Sequence, residues 1–287
     1  MLSGYKKNSM IPGPTYVYQC PKCNNLLKKS SLLSGNTIGS IIYSDGKKVN
    51  PMMPEFPNLT ICTKCQYIFR ISEIKAIGKY GDDGTKFYPS KPEWEKAPYA
   101  EFLTVYEYFR LLEEMPPKNT QVELELRIQI WLSFNDRVRD NSGELYNQQN
   151  DSVLYNANCE RILELIDARY SEEKNKIQKE LQYIENIKEG SSFWTPDRIK
   201  EITKIHQESF KELEQVQSDY IIMKAEIYRN FGKFEECMAI INNLEKPILK
   251  SEEDWDWIKD IFREECESKN TLVVSLSSRV VKYNKLE

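Results

Sequence analysis

Four of the seven cysteines in this 287-residue sequence fall into two C-x-x-C pairs, a spacing that is typical of a metal site. Cys20 is paired with Cys23 and Cys62 with Cys65, and 38 residues lie between the pairs. Zn²⁺ takes four ligands in a tetrahedron, and four thiolates leave no position for water or substrate. We therefore predict a closed, structural zinc site at these four cysteines, and no catalytic zinc.

Two other uses of such cysteines are less consistent with the sequence. A redox C-x-x-C needs a thioredoxin-like βαβ context, which these segments lack. An iron–sulfur cluster also takes four cysteines, but paired knuckles with short flanking strands favour zinc. Four thiolates around Zn²⁺ carry a net charge of about −2, and Lys22 and Lys64 lie inside the pairs, where they can offset it.

The remaining residues that could do chemistry favour structural roles. Three further cysteines lie in helical patterns beside apolar residues and are interpreted as small buried side chains: Cys159, Cys237 and Cys266. The single histidine, His206, lies in a charged helical stretch and has no partner for triad or metal chemistry. We predict that the protein is not an enzyme. An active site at a junction between modules remains a third possibility.

Two further patterns are interpreted as structural. Gly78, Gly81 and Gly84 do not have the dinucleotide-binding spacing, and no strand–turn–helix surrounds them. The acidic run from Glu252 to Asp256 suits the start of a helix, where carboxylates complement the helix dipole.

The first eighty residues have the pattern of short strands and turns that would position the cysteines. Tyr16–Tyr18 and Leu59–Ile61 lead into the two pairs, and Tyr67–Ile71 follows the second. Asp45-Gly46 is a strong signal for a tight hairpin. Pro51–Pro57 contains three prolines and should be extended without ladder hydrogen bonds.

From about residue 93 the apolar residues follow a helical period. Tyr99 to Leu112 predicts one helix, ended by Pro116-Pro117, and a second helix is expected over about 120 to 139. Later helices are expected from near Val153, from Pro196 to Phe231, over Phe234–Leu244 and from Ser251. The sequence therefore predicts an α+β protein: a zinc ribbon over residues 1–80, an ordered connection over 81–92, and a mainly α-helical domain of antiparallel hairpins over 93–287.

Charge is distributed unevenly between these modules. Residues 1–80 contain eleven lysines and arginines and three acids, a net charge of +8, whereas 29 basic and 41 acidic residues give the remainder −12. The basic ribbon could bind nucleic acid. Its lysines could instead keep a small module soluble, and the acidic module would oppose close approach to phosphates. We therefore prefer a non-enzymatic protein-interaction or scaffold protein, with nucleic-acid binding as the alternative.

Membrane insertion and secretion are not expected. No apolar run approaches the roughly 20 residues needed to span a bilayer, and no apolar segment follows Lys6 and Lys7. The cytoplasm is the expected location.

The segment Asp219–Pro247 resembles a tetratricopeptide-type helical hairpin. With Gly232 in the turn, Ala225 and Tyr228 lie where the repeat places small and large residues, and Cys237 lies at a small position of the second helix. Ile241 and Leu244 depart from the repeat. The resemblance implies stacked helical hairpins that could offer a groove to a partner.

A longer resemblance covers both modules. Leu32–Cys65, with its Ser34–Thr37, Ser44–Lys47 and Pro51–Pro54 blocks, and Leu126–Arg139 are similar to a group of uncharacterised bacterial proteins. These proteins pair a four-cysteine zinc ribbon with a tetratricopeptide-like helical region. The resemblance implies this architecture and a bacterial cytoplasmic setting, and it supplies no activity.

Two segments allow more than one interpretation. The insert between the pairs, residues 24–61, is rich in Gly, Asn and Asp, which suits either turns alone or a loop-built binding surface. The tail, residues 271–287, begins with an apolar stretch that could be a final strand or a frayed end.

Overall fold

The computed structural model describes residues 10–139, 143–190, 204, 220–243 and 253–276. A β-rich N-terminal region that contains the cysteine cluster is followed by a helical region, which confirms the predicted α+β class. The chain divides into two compact units: Met1–Ile42 with Lys48–Pro116, and Tyr43–Lys47 with Pro117–Glu287.

These units differ from the predicted bounds of 1–80 and 93–287 at two places. The first unit continues to Pro116 and includes the predicted connection, 81–92, and two helices. The reason lies in α1 (Pro92–Lys96), whose Trp94 ring occupies the space that a Cβ at Gly78 would need. Five residues of the insert, Tyr43–Lys47, belong to the second unit instead.

The first unit is built from short antiparallel strands. Its main sheet has four strands in the order β10-β9-β2-β3. The other strands form the two-stranded pairs β1–β4, β5–β6 and β7–β8. The strand bounds are β1 Ile11–Pro12, β2 Thr15–Gln19, β3 Leu26–Lys29, β4 Leu32–Ser34, β5 Ile41–Ile42, β6 Lys48–Val49, β7 Leu59–Ile61, β8 Ile68–Arg70, β9 Gly78–Asp82 and β10 Phe87–Tyr88.

The strands predicted beside the cysteines are confirmed, as is the hairpin at Asp45-Gly46. Ile42 lies opposite Lys48, and Gly46 has a φ of 82°, which a residue without Cβ adopts most easily. Residues 50–58, which include the proline-rich run, form no strand, as predicted. The start of the run is not extended, because Pro51 and Met52 form a turn that is closed by the Met53 N–H, which donates to the Asn50 carbonyl at 2.9 Å.

Helix α2 (Val105–Glu114) begins later than its apolar period predicts. Thr104 and Glu107 form a capping box, in which each side chain accepts from the other residue's backbone N–H. The helix therefore begins at Val105, and Tyr99 and Phe102 lie before it with exposed side chains. The apolar spacing alone did not indicate this boundary, because the capping residues decide where the helix can start.

The second unit contains the longer helices. They are α3 (Thr120–Asn135), α4 (Asp151–Gly190), α5 (helical over 220–230), α6 (Phe234–Asn243) and α7 (Glu253–Glu267). Helix α3 packs against α4, and α6 packs against α7. The α3–α4 core includes Leu124, Ile130, Trp131, Phe134 and Ile162.

The start of the tail is ordered as far as it is described. Val274 accepts a hydrogen bond from the backbone N–H of Ser44, and Ser275 forms a single β-bridge with Tyr43. Residues 277–287 lie outside the described residues, as do His206, the predicted helix start at Pro196 and the helix start at Ser251. Among the described residues no helix has the length and apolar character that a membrane span needs.

Candidate metal centre

The two cysteine pairs lie at the ends of two hairpins with equivalent backbone geometry. In the first hairpin, between β2 and β3, the Cys20 N–H donates to the Asn25 carbonyl and the Asn24 N–H donates to the Cys20 carbonyl, both at 2.9 Å. In the second hairpin, between β7 and β8, the Cys62 N–H donates to the Tyr67 carbonyl at 2.9 Å, and the Gln66 N–H donates to the Cys62 carbonyl at 2.8 Å. Each pair therefore lies on a knuckle with the same hydrogen-bond pattern.

A left-handed residue follows the second cysteine of each knuckle. Asn24 and Gln66 both have a φ of 58°. This conformation lets the chain reverse directly after the cysteine and re-enter a strand two residues later, so that both sulfurs of a knuckle stay on the same side. The C-x-x-C spacing alone does not specify this turn.

The four sulfur atoms lie within 4.8 Å of one another. The Cys20 and Cys65 sulfurs are 3.6 Å apart, and the Cys23 and Cys62 sulfurs are 3.5 Å apart. A disulfide bond is much shorter, about 2.05 Å. A tetrahedron with metal–sulfur bonds of about 2.3 Å has sulfur–sulfur edges of about 3.8 Å. The arrangement therefore fits a single metal ion held by all four cysteines.

The backbone of each knuckle donates to its sulfurs. Burial acts to raise the pKa of Cys62. Hydrogen bonds from the N–H groups of Cys65 and Lys64, together with those from the Cys23 and Cys65 thiols, outweigh it and lower that pKa to about 7. Burial raises the pKa of Cys20 to about 12 despite hydrogen bonds from the N–H groups of Lys22 and Cys23. Because four adjacent thiolates repel one another, a cation is needed to keep all four deprotonated.

The cysteines adjoin an apolar cluster, and each pair has an exposed lysine between its two cysteines. Cys20 and Cys62 are buried in a small cluster with Leu27, Phe69 and Ile71. Lys22 and Lys64 occupy the same position of their knuckles and are exposed. The two lysines lie where the sequence predicted a positive charge to offset the thiolates.

The other cysteines are not part of a metal cluster in the described residues. Cys159 is buried in α4, and burial raises its pKa well above the usual value. Cys237 and Cys266 are buried in one apolar cluster with Ala225, Ile241 and Phe262. Their predicted role as small buried side chains is consistent with these positions.

Two lysines of the predicted ribbon form contacts within the protein. The Lys28 side chain is buried, its Nζ donates to the Glu95 carbonyl at 2.6 Å, and it lies 4.5 Å from the centroid of the Tyr99 ring. Lys47 forms an ion pair with Asp136 at 2.5 Å. These two lysines are therefore engaged in contacts within the protein, and they lower the number of ribbon charges open to nucleic acid.

A buried polar network in the second unit was not predicted from the sequence. Asp45 accepts from both terminal nitrogens of Arg139, and its Oδ2 also accepts from Asn135 Nδ2 at 2.9 Å. Ser44 Oγ donates to Glu226 Oε1 at 2.7 Å and accepts from the Val274 N–H at 3.0 Å. The hairpin turn is thus held by its polar side chains.

The network extends along α5. Arg229 donates to the Glu226 carboxylate at 2.5 Å and 2.9 Å and to the Leu272 carbonyl at 2.8 Å. The Ser44–Lys47 and Leu126–Arg139 blocks, which carried the resemblance stated above, meet here through Asp45 and Arg139. The sequence contained these residues but no signal that they are in contact, because 94 positions separate them.

Comparisons with known proteins give little functional information. No family model and no solved structure matches the sequence. An uncharacterised protein of Acanthamoeba polyphaga mimivirus is 25% identical over 217 residues. The match covers 74% of this chain and 46% of the viral protein, so the chain spans about half the length of that relative. A viral relative gives no support to the predicted bacterial setting.

Proposed function

We propose that this protein is a non-enzymatic interaction protein in which a structural zinc ion holds the ribbon and the insert between the knuckles contacts a protein partner. The observation that carries the first part is the set of four sulfurs within 4.8 Å of one another. Four thiolates complete the coordination of Zn²⁺, which leaves no position for a reacting water. The metal would then contribute to folding rather than to catalysis.

The buried carboxylates support a structural interpretation of the second unit. Asp45, Glu226 and Asp151 are each paired with an arginine: Arg139, Arg229 and Arg137, respectively. All three carboxylates are buried, and each is taken up by an ion pair within the protein, which leaves it no access to a substrate. These pairs are suited to fixing segments of the chain relative to one another.

The insert is the part of the ribbon that best fits a protein partner. Four of its apolar side chains, Leu33, Ile38, Ile42 and Met53, are between 41% and 60% exposed. The backbone around them is ordered by its own hydrogen bonds. Ser40 Oγ, for example, lies within hydrogen-bond distance of the Thr37 carbonyl oxygen, at 2.6 Å, and of Asn50 Oδ1, at 2.5 Å. An ordered loop with exposed apolar side chains can bind a partner at a low entropic cost.

The buried turn divides the roles within the insert. Tyr43, Ser44 and Asp45 are buried in the second unit and cannot contact a partner. The sequences on either side carry the exposed apolar residues. We therefore infer that turn chemistry and a binding surface are both present, in different parts of the insert.

The turn and the packing between helices α5 and α6 favour a tetratricopeptide-like hairpin. Gly232, between them, has a φ of 70°, which a glycine adopts at the end of a helix. Ala225, Cys237 and Ile241 pack in one cluster, with Tyr228 against it. We propose that this hairpin, with α7, forms a stable helical support, and that the binding surface lies in the ribbon insert.

Metal analysis tests the first part of the proposal. We expect one zinc per chain in protein purified without added metal, and loss of zinc with unfolding of the ribbon in Cys62→Ser. Cys159→Ser is the matched control and should keep its zinc, because Cys159 is buried in α4 and is not one of the four clustered cysteines. A coloured, iron-loaded protein or a fully folded metal-free protein would contradict the proposal.

Affinity capture from the native cell with matched variants tests the second part. We expect specific proteins to bind the wild type and to be lost with the double variant Ile38→Ser, Met53→Ser. The control Val153→Ser removes an exposed apolar side chain from α4 and should retain them. The purified wild type and the Val153→Ser control must also bind the recovered partner directly, and more tightly than the double variant does. Equal recovery with all three proteins would reject the insert as the binding surface.

A further inference from the structure

A row of alternating lysine and tyrosine side chains crosses the main sheet of the first unit. Tyr16 on β2 lies opposite Lys29 on β3 and opposite Lys79 on β9. Residues directly opposite one another in an antiparallel sheet point to the same face. Lys29, Tyr16 and Lys79 therefore lie side by side on one face.

A second tyrosine extends this row onto β10. Tyr88 lies opposite Gly81, which is two residues from Lys79 on β9, so it shares the face. Lys79 Nζ lies 4.1 Å and Lys86 Nζ 5.4 Å from the centroid of the Tyr88 ring. We call Tyr16, Lys29, Lys79, Lys86 and Tyr88 the tyrosine–lysine patch.

The reverse face of the sheet is covered by the protein itself. Val17 is fully buried there, and the Trp94 ring lies on Gly78, its partner on β9. Lys28, also on that face, is buried. The five side chains of the patch, in contrast, are all partly or fully exposed. The patch is therefore on the face of the sheet that solvent reaches.

The cysteine-bearing end of the sheet adjoins the patch. The next row on the same face contains Tyr18 and Leu27, which pack with Cys20, Cys62 and Phe69. Of the patch lysines, Lys79 already has an acidic partner: it forms an ion pair with Asp83 at 2.9 Å. Lys29 and Lys86 form no ion pair with the described residues, so they are the patch charges that are open to a ligand.

We propose that the tyrosine–lysine patch binds single-stranded nucleic acid. Lysines attract the phosphate backbone, and tyrosine rings stack on bases of any identity. A duplex hides the faces of its bases, so this combination favours a single strand. The whole first unit is also basic, since its fourteen lysines and arginines exceed its ten acids by four. The patch and the insert that we propose for protein binding are different residues, so the two proposals can fail separately.

Fluorescence anisotropy with the full-length, metal-loaded protein tests this inference. The probe is a labelled oligothymidylate of about 12 nucleotides, and the comparison is a duplex of the same length. We expect tighter binding to the single strand. We also expect the logarithm of the binding constant to fall against the logarithm of salt concentration with a slope of about −1.4, since each of two phosphate contacts contributes about −0.7. No binding at about 50 mM salt, or equal binding to the duplex, would overturn the proposal.

Two kinds of variant separate charge from stacking. The double variant Lys29→Gln, Lys86→Gln should bring the slope of the logarithm of the binding constant against the logarithm of salt concentration near zero. The control pair Lys96→Gln with Lys118→Gln removes the same charge from exposed positions outside the patch and should leave the slope unchanged. Tyr88→Leu should weaken binding at least about fivefold without changing the slope, and Tyr88→Phe should restore it, because the ring does the stacking.

Folding and non-specific attraction are checked in the same series. Each variant must keep its metal content and its circular dichroism spectrum, and Tyr88→Phe provides the stacking comparison if Tyr88→Leu does not fold. If the control lysine pair lowers affinity as much as the patch pair, binding is a general charge effect and the patch is rejected. Equal affinities for Tyr88→Leu and Tyr88→Phe, both folded, would also reject stacking at Tyr88.

Discussion

At the scale of single residues, Asn24 and Gln66 determine whether the cysteines can meet. Each follows the second cysteine of its pair and has a φ of 58°. Only this reversal lets the next strand return beside the first. Such a φ costs an ordinary residue roughly 1 kcal/mol relative to glycine or asparagine.

Substitution of Gln66 tests the importance of this turn. We expect Gln66→Gly to leave the stability of the metal-loaded protein unchanged or to raise it by up to about 1 kcal/mol. Gln66→Val should lower it by about 1 to 3 kcal/mol, because a β-branched residue is strained at positive φ. Thermal unfolding with zinc bound measures both variants. Equal stability of the glycine and valine variants would show that the turn carries no strain.

The buried pair of Asp45 and Arg139 provides a second test at this scale. We expect Asp45→Asn to lower the free energy of unfolding by up to about 3 kcal/mol. The buried Arg139 guanidinium then keeps only Asp136, whose side chain is 40% exposed, as a counter-ion. Chemical denaturation, followed by circular dichroism, measures the loss.

Lys47→Gln is the matched control for this pair. It breaks the neighbouring ion pair with Asp136, whose side chain is 40% exposed, and should cost less than about 1 kcal/mol. If Asp45→Asn were as mild as this control, the turn would not depend on its buried charge for its position.

At the scale of elements, an ion-pair network links α3 to α4. Glu123 on α3 accepts from Arg161 Nε at 2.9 Å and from Arg161 Nη2 at 3.0 Å, and Arg127 Nε donates to it at 2.8 Å. The hydrogen bonds from Arg161 are the largest cause that lowers the pKa of Glu123 to about 2. The carboxylate is therefore held ionised across the helix pair.

Acid should weaken the α3–α4 pair through Glu123. The folded pKa is lowered from its ordinary value of 4.5, so its contribution is present above about pH 4.5 and is lost as pH falls towards 2. We expect a loss on the order of 1 kcal/mol, because the Arg161 side chain is 40% exposed and its charge is screened.

Urea denaturation of three proteins checks this pH dependence. Measured at about pH 6 and about pH 2.5, Glu123→Gln should lose less stability than the wild type. Glu160→Gln, at an exposed position of α4, should behave like the wild type. An unchanged pH dependence in Glu123→Gln would remove Glu123 as its cause.

At the scale of the whole molecule, the two units have different sources of stability. The first unit has a small apolar cluster around its cysteines, with Leu27, Phe69 and Ile71 as its other buried members. The second unit buries large side chains between α3 and α4, including Trp131, Phe134 and Tyr155. The short strands around the cysteines have few buried apolar residues of their own, and strands of this kind usually need a metal to stay folded, whereas packed helices do not.

Chelation should therefore unfold one part of the chain selectively. After removal of the metal, we expect the amides of β2, β3, β7 and β8 to lose protection against hydrogen exchange. The amides of α3 and of the first turns of α4 should keep theirs, as should the Ser44 amide, which donates to the Val274 carbonyl. Restoration of zinc should restore protection. Uniform loss over both units would show that the metal stabilises the whole chain.

The sequence by itself determined the local features of this protein. Cysteine spacing predicted the metal ligands, alternation predicted the strands beside them, Asp45-Gly46 predicted the hairpin, and the 3.6-residue period predicted the helical region. These features depend on neighbours within a few positions along the chain, whose spacing and backbone preferences can be recognised without a structure.

The tertiary structure alone decided how distant residues are used. It placed Asp45 against Arg139, brought Tyr16 between Lys29 and Lys79, and engaged Lys28 and Lys47 in contacts within the protein. Such contacts depend on burial and on strand register, which join residues far apart in sequence and leave no local pattern. For this reason the clustering of the four cysteines was predictable from spacing, whereas the buried network and the tyrosine–lysine patch were not.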